Sequence, residues 1–548
     1  MCIKKFIIFI HLLLTASASY NAAADNISVS AAQATANSFI KSHFKTAPGT
    51  LRAPAMADIV LAHTEFSAKD PQASVYYIFN IKGGGYIIVS GDDQAAPVLG
   101  YSNKGQIDAN NQPEPLAALL DGYKEEIEYV KTHKIDKTKS FNNRFLDAND
   151  GVVEPMLKTT WGPEEPYNYQ CPTLNGQYSR VGCVAVCMAQ FINFWQFPVE
   201  VSGLPAYYSS YLGDTVPALP ATTFDFAKMI PSYCHWDFEH KKVILDAFTD
   251  EQAQEVAKLC RYCGQSVKMN YNPSISTTTK SRLTEFKKFG YNSKAKNCYR
   301  VDYEDSVWIE MIRAELNEGR PVTYLAYGSN SVGHAFIIDG CDTENYFHIN
   351  MGWYGHADGW YLITAIIFTG RFGEDRNYCN KHSMIVDLEP PLFCTIDAEV
   401  GAGNGLHLLG ETLTALASDV KLSMSYRTLP FMFSLTDADG EQVALSESIT
   451  LNRLTFENGS DINLALTLPE TLPEGVYDLH LNYLTGDNDP LTQAVTSDGQ
   501  LYVLGKFAKF GAPFGIADVV EAIDMILQEE PQVNIADVTM LIDYLLAN

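Results

Sequence analysis

The chain has 548 residues, too many for one hydrophobic core, and its 46% hydrophobic and 12% aromatic content exclude a disordered protein. Its formal net charge of −26, from 39 Lys+Arg against 65 Asp+Glu, repels nucleic acid and anionic membrane, so neither is expected as a partner.

At the N-terminus Lys4 and Lys5 precede the apolar run Phe6 to Leu14, and Ala16-Ser17-Ala18 or Ala22-Ala23-Ala24 offers a cleavage site. This is a signal-peptide pattern over 1–24, with a run too short to span a membrane. Cys2 lies before that run, which argues against a lipoprotein anchor. No later stretch is long and apolar enough to cross a bilayer. The expected location is therefore secreted, or at the cell surface or in a periplasm.

Residues 25–131 read as an α+β domain. Apolar spacing predicts a helix from Val29 to Phe44 capped by Ser28 or Ser30, and another from Leu116 to Lys131. Between them, Ser74–Ile81 and Gly85–Ser90 flank Lys82-Gly83-Gly84 as a hairpin, and Val98–Tyr101 forms a further strand. The pattern vanishes over 132–153, a polar stretch ending Asp147-Ala148-Asn149-Asp150-Gly151 that suits either a cleavable connection or an ordinary linker.

Residues 154–392 hold the chemistry-bearing segments. In Arg180-Val181-Gly182-Cys183 a flexible glycine precedes a cysteine at the start of an apolar helical run that stops at Pro198. The first turn of a helix presents free N–H groups and positive dipole, which favour thiolate, the nucleophilic form. The alternative is a small buried core residue. Further helices are expected at Asp250–Cys263 and Lys280–Phe289. Strands follow at Pro321–Ala326, Ala335–Asp339, Tyr346–Asn350 and Trp360–Ile363. His334 opens one of these strands after the loop Gly328 to Gly333, and Asn350 ends the next. An asparagine there can fix the tautomer of a histidine, and Trp353 can shield that bond; Asn is otherwise a common turn former. Ten of the 11 cysteines lie between Cys171 and Cys394, and one held as a free thiol leaves an odd number to pair. Cys260-Arg261-Tyr262-Cys263 has metal or redox spacing but lacks a second pair, so it reads as a helical core pair.

These segments resemble the streptopain family of papain-like cysteine peptidases. The resemblance is carried by Gly182-Cys183-Val184-Ala185 with Ala189 and Gln190, and by Gly333-His334-Ala335-Phe336 through Asp339 and Gly340. His348, Asn350, Gly352, Trp353 and Gly355 continue it, with Trp161 and Pro166-Tyr167-Asn168 upstream. It extends to Tyr76–Asn80 and Val89–Asp93, which look like the family's inhibitory propeptide. The resemblance implies a papain-like domain over 154–392, a prodomain over 25–131 that acts as the chain's own inhibitor, and activation cleavage within 132–153. It makes Cys183 the nucleophile, His334 the general base and acid, and Asn350 the residue that orients His334. Gly333 and Ser276 would line the substrate subsites. Protein or peptide substrates are implied, and no cofactor or metal. Two positions depart from the pattern: Pro163 stands where the family carries its oxyanion glutamine, and Met351 where it carries tryptophan. Losing one oxyanion donor costs about a hundred- to a thousandfold in well-studied hydrolases. Gln177, six residues before Cys183, is the candidate replacement donor.

Beyond the peptidase segment, 393–505 alternates in short Leu/Thr-rich runs separated by turns and is expected to form a β-sandwich. Residues 513–548 hold a repeat, Gly515-Ile516-Ala517-Asp518-Val519 and Asn534-Ile535-Ala536-Asp537-Val538. It resembles a dockerin-type helix pair and suggests a surface or scaffold partner. Most calcium ligands of that motif are missing, since Phe507, Lys509 and Gly511 precede one helix and Ile526, Gln528 and Glu530 the other. The pair is therefore expected to form without calcium. The whole chain reads as a secreted cysteine endopeptidase made as a zymogen. The alternative is a weak or inactive relative that binds peptides or adheres to surfaces, favoured by Pro163 and Met351.

Overall fold

The structure, a computed structural model, describes residues 26–44, 58–133, 151–327, 333–365 and 382–547, less short breaks at 393, 403–405, 409, 427, 454, 474, 486–489, 494–498, 505–515 and 529–534. The expected signal peptide and most of the expected cleavage stretch lie outside the described residues. So do the segments on which the calcium expectation turns, apart from Ile526 and Gln528. Two compact units are present, Met1–Pro390 and Pro391–Asn548. Among the described residues no helix is long and apolar enough to cross a membrane.

In the first unit, helix α1 (Val29–His43) starts at Ser28, whose hydroxyl accepts from the Ala31 N–H at 3.3 Å. Strands β1 (Ile59–Phe66), β2 (Ser74–Ile81), β3 (Tyr86–Ser90) and β4 (Val98–Ser102) follow, and then helix α2 (Glu114–His133). The peptidase segment supplies α3 (Cys183–Trp195), α4 (Asp250–Ser266), α5 (Arg282–Lys288), β5 (Lys296–Tyr299), α6 (Asp305–Asn317), β6 (Val322–Tyr327), β7 (Gly333–Cys341), β8 (Phe347–Asn350), β9 (Gly359–Tyr361) and β10 (His382–Val386). The buried core around α3 includes Ala185, Met188, Phe191, Val256, Leu259, Cys260, Cys263 and Phe286, so the Cys260/Cys263 pair is core packing on α4. All cysteines among the described residues are free.

The N-terminal domain and the peptidase segment are not separate compact bodies, because one sheet runs through both in the order β1-β2-β3-β4-β9-β8-β7-β6-β10-β5. The junction is antiparallel pairing of β4 with β9, Gly100 opposite Tyr361 and Tyr101 opposite Trp360. Gly100 is required there: a Cβ would fall 2.5 Å from the Tyr361 ring and 3.1 Å from the Trp360 carbonyl. Below the sheet, Glu126 of α2 meets Arg300 at 2.8 Å, and Arg300 meets Asp305 at 3.1 Å, all three side chains being buried. Val153, the last residue of the expected cleavage stretch, exchanges backbone bonds with Cys341 of β7 at 2.8 and 2.9 Å.

The second unit holds two sheets. One joins Cys394–Gly401, Thr412–Met424 and Ser460–Thr467; the other runs Leu406–Leu408, Gly499–Leu504, Gly475–Tyr483, Thr428–Thr436 and Gln442–Leu445. Alternate side chains from both, among them Ala415, Val420, Phe431, Leu435, Leu466 and Leu479, enter one buried core. Helices α7 (Ile516–Leu527) and α8 (Ile535–Ala547) pack through Ala522, Met525 and Val538. Ile516, Leu527, Ile535 and Leu546 are left largely exposed.

Candidate active site

Cys183 is the first residue of α3, and Gly182 before it has φ of 88°. At that positive φ an L side chain is strained, and a Cβ would also press on the Met269 side chain at 2.7 Å and the Ser276 carbonyl at 3.2 Å, so glycine suits the turn into the helix. His334 lies at the start of β7, with Ala326 of β6 opposite it in register. Cys183 and His334 line one cleft of about 760 Å³ together with Gly182, Gly333, Ser276 and Pro163.

The cleft is in a resting state. The Cys183 Sγ points at the Gly333 carbonyl at 3.9 Å. Burial raises its pKa, and the negative charge of Glu114 adds to this, outweighing the N–H groups of Ala335 and Val184 that favour thiolate. The pull of the helix start toward thiolate is thus opposed by burial and by Glu114. Burial likewise lowers His334 to about 4, so its imidazole is neutral. Its Nδ1 makes no hydrogen bond among the described residues. Glu114 Oε2, on the first turn of α2, stands 3.7 Å from that nitrogen.

The hydrogen bonds of Asn350 run to Gln190, Gly352 and Thr159. Its Oδ1 accepts from Gln190 Nε2 and from the Gly352 N–H, both at 3.0 Å, and its Nδ2 donates to the Thr159 carbonyl at 2.7 Å. Gln190 Oε1 also accepts from Thr159 Oγ1 at 2.8 Å and from the Trp161 N–H at 3.2 Å. With both ends of its amide engaged, Asn350 ties β8 to α3 and to the segment entering the cleft.

Gln177 is not brought to the cleft. It lies exposed on the two-strand hairpin Thr173–Leu174/Gln177–Tyr178, outside the lining of the pocket. Pro163 is buried in the cleft wall, where its carbonyl accepts from the Val181 N–H at 2.8 Å. A proline has no donor to offer an oxyanion. Met351 is buried, and its N–H donates to Asp358 at 2.8 Å. The Ser276 hydroxyl donates to the Arg180 carbonyl at 2.7 Å and accepts from the Asn272 N–H at 3.0 Å, pinning the far wall to the approach to Cys183.

Three cleft residues carry no motif that would have marked them. Arg282 is buried and donates to the Tyr324 carbonyl at 2.9 Å. His382 accepts or donates at the Tyr324 hydroxyl at 2.8 Å. Arg180, three residues before Cys183, lies over Trp353 at 5.5 Å. A cation beside the cysteine of so acidic a chain was the available signal.

A cysteine at a helix start and a histidine on the facing sheet thus share a cleft that Glu114 of the N-terminal domain enters, an arrangement suited to a thiol nucleophile with a histidine base. Residues 161–361 match the Peptidase C10 family, and residues 24–127 match the Spi protease inhibitor family. The matched segments therefore resemble a C10-family cysteine peptidase and an Spi-type inhibitor domain, in that pairing along one chain. Streptopain of Streptococcus pyogenes is 29% identical over 340 residues, 57% of this chain and 80% of its own. The thiol protease/hemagglutinin PrtT of Porphyromonas gingivalis is 27% identical over 348 residues, 59% of this chain and 38% of its own. Among solved structures, a prointerpain A fragment from Prevotella intermedia is 24% identical, covering 59% of this chain and 98% of its own, with a TM-score of 0.44.

Proposed function

We propose that this chain is a secreted bacterial cysteine endopeptidase made as a zymogen, attenuated by Pro163. The observation that carries the reading is the shared cleft of Cys183 and His334, closed by Glu114 of the N-terminal domain. Departure of α2 opens the thiol and the imidazole to water, relieving the burial that raises the thiol, and removes the Glu114 charge that adds to it. His334 can then take the Cys183 proton, and the thiolate attacks a peptide carbonyl. The tetrahedral oxyanion faces the N–H groups at the start of α3, a favourable site for negative charge. The imidazolium returns its proton to the leaving amine, and water releases the acyl-enzyme. Pro163 supplies no second donor, so turnover falls below that of a site with two.

Incubating the purified precursor under reducing conditions tests this reading, with Cys183→Ala alongside. Self-cleavage within 132–153 in the wild type only is the expected result. An intact wild-type chain with no peptide hydrolysis after forced removal of the N-terminal domain favours the peptide-binding alternative suggested by Pro163.

A further inference from the structure

Among the described residues that line the cleft around Cys183, Glu114 is the one acidic side chain, and it belongs to the part expected to leave. The charged side chains that remain in that lining are Arg180, Lys280 and Arg282. Removal of α2 therefore uncovers a cationic cleft in a chain whose formal net charge is −26.

The Glu114 carboxylate spans two groups. Its Oε1 is 3.4 Å from Arg180 Nη1, and its Oε2 is 3.7 Å from His334 Nδ1. Arg180 is positioned from the peptidase side. Glu164 Oε1 accepts from its Nε at 2.8 Å and stands 2.6 Å from its Nη2, while the guanidinium lies 5.5 Å from the centre of the Trp353 ring. Those contacts come from the peptidase segment and hold the planar fork when Glu114 departs, leaving Nη1 aimed into the cleft.

We propose that Arg180 is a specificity-determining residue that receives a substrate carboxylate in the place Glu114 holds in the precursor. The favoured substrates are peptides with Glu or Asp adjacent to the scissile bond, because one carboxylate reaches both Arg180 and the imidazole that acts on that bond. The proposal rests on the peptidase reading above. Glu164 already neutralises part of the guanidinium and one Nη1 donor is offered, so the discrimination is about tenfold, the scale of one charge-assisted hydrogen bond.

The test uses processed protein freed of its N-terminal domain and pairs of peptides that differ only by Glu or Gln at each position flanking the cut. The best Glu peptide should exceed its Gln twin about tenfold in kcat/KM, mainly through KM, and less so at high salt. Arg180→Gln should bring that ratio toward one, and Arg180→Lys should keep part of it. Equal kcat/KM for the twins at every position overturns the proposal, as does a ratio that survives Arg180→Gln. Equal loss on both twins in Arg180→Gln also overturns it, and makes Arg180 a general transition-state donor instead. If no peptide is cut, the peptidase reading fails on its own. Binding of the same twins to processed Cys183→Ala protein then decides the subsite: tighter binding of the Glu twin that Arg180→Gln abolishes keeps it, and equal binding removes it.

Discussion

Glu126 of the N-terminal domain and Arg300 of the peptidase segment meet at 2.8 Å with neither side chain reaching solvent. Arg300 also holds Asp305, so two buried carboxylates share one guanidinium. Glu126 further accepts from Thr364 Oγ1 at 3.0 Å and from the Ala365 N–H at 2.6 Å. The two partners are therefore unequal. Arg300→Met strands two buried acids and should lower precursor stability by about 3–5 kcal/mol, the usual cost of breaking a buried pair. Glu126→Gln keeps the Arg300–Asp305 pair and should cost less. Thermal melts of the two variants check the order, and equal losses would show that Glu126 carries the charge balance.

Gly100 tests the sheet junction without touching the cleft. Its missing Cβ lets β4 lie against Tyr361. Gly100→Val should force β4 off β9 and speed release of the N-terminal domain at least tenfold after the connection is cut, a loss of about 1.4 kcal/mol. The release rate, followed by gel filtration, is the measurement.

Docking of the N-terminal domain should depend on pH in two opposed senses. His334 is held at about 4 by burial against an ordinary value near 6.5. The released imidazole takes a proton that the docked one refuses, so this contribution is full above about 6.5 and is lost as pH falls toward about 4. Burial raises Glu126 despite Arg300, with Asp305 adding to the effect. Its contribution is full below its ordinary value and is lost as pH rises through its raised one. Dissociation constants of the cut domain between pH 4 and 8, measured on Cys183→Ala protein, should pass through a minimum. Glu126→Gln should abolish the weakening at the alkaline side.

Pro163 sets the expected ceiling on rate. Pro163→Gln in processed protein should raise kcat, by up to about a hundredfold if the new side chain reaches the oxyanion. Steady-state kinetics on one peptide measure it. An unchanged kcat would show that the oxyanion already has all the donors it can use.

The motif residues were legible in the sequence because local chemistry marks them: glycine then cysteine at a helix start, glycine then histidine at a strand start. Most elements were legible too, since Ser74–Ile81 is a nearly continuous apolar run and Glu114–His133 carries a helical apolar period. Strand β1 was not, because it lies at the sheet edge with Val60 and Leu61 exposed and His63, Thr64 and Glu65 in between. Helix α6 was missed because buried Asp305 and Arg313 interrupt its apolar face, Asp305 paired with Arg300 just before the helix and Arg313 donating to the distant Asp342 carbonyl. The surroundings of Asn350 and Gln177 were hidden for a related reason. Spacing along the chain does not reveal that Gln190 and Thr159 take both ends of the Asn350 amide, or that Gln177 sits on an exposed hairpin tip. Glu114 was invisible for the same reason, since it enters the cleft from another domain.

The most direct measurement is peptide hydrolysis by processed wild-type protein and by processed Cys183→Ala protein, under reducing conditions at equal concentration. The account predicts measurable turnover in the wild type and a loss of at least about a thousandfold in the variant, as expected when a covalent nucleophile is removed. Equal rates from the two proteins would contradict it.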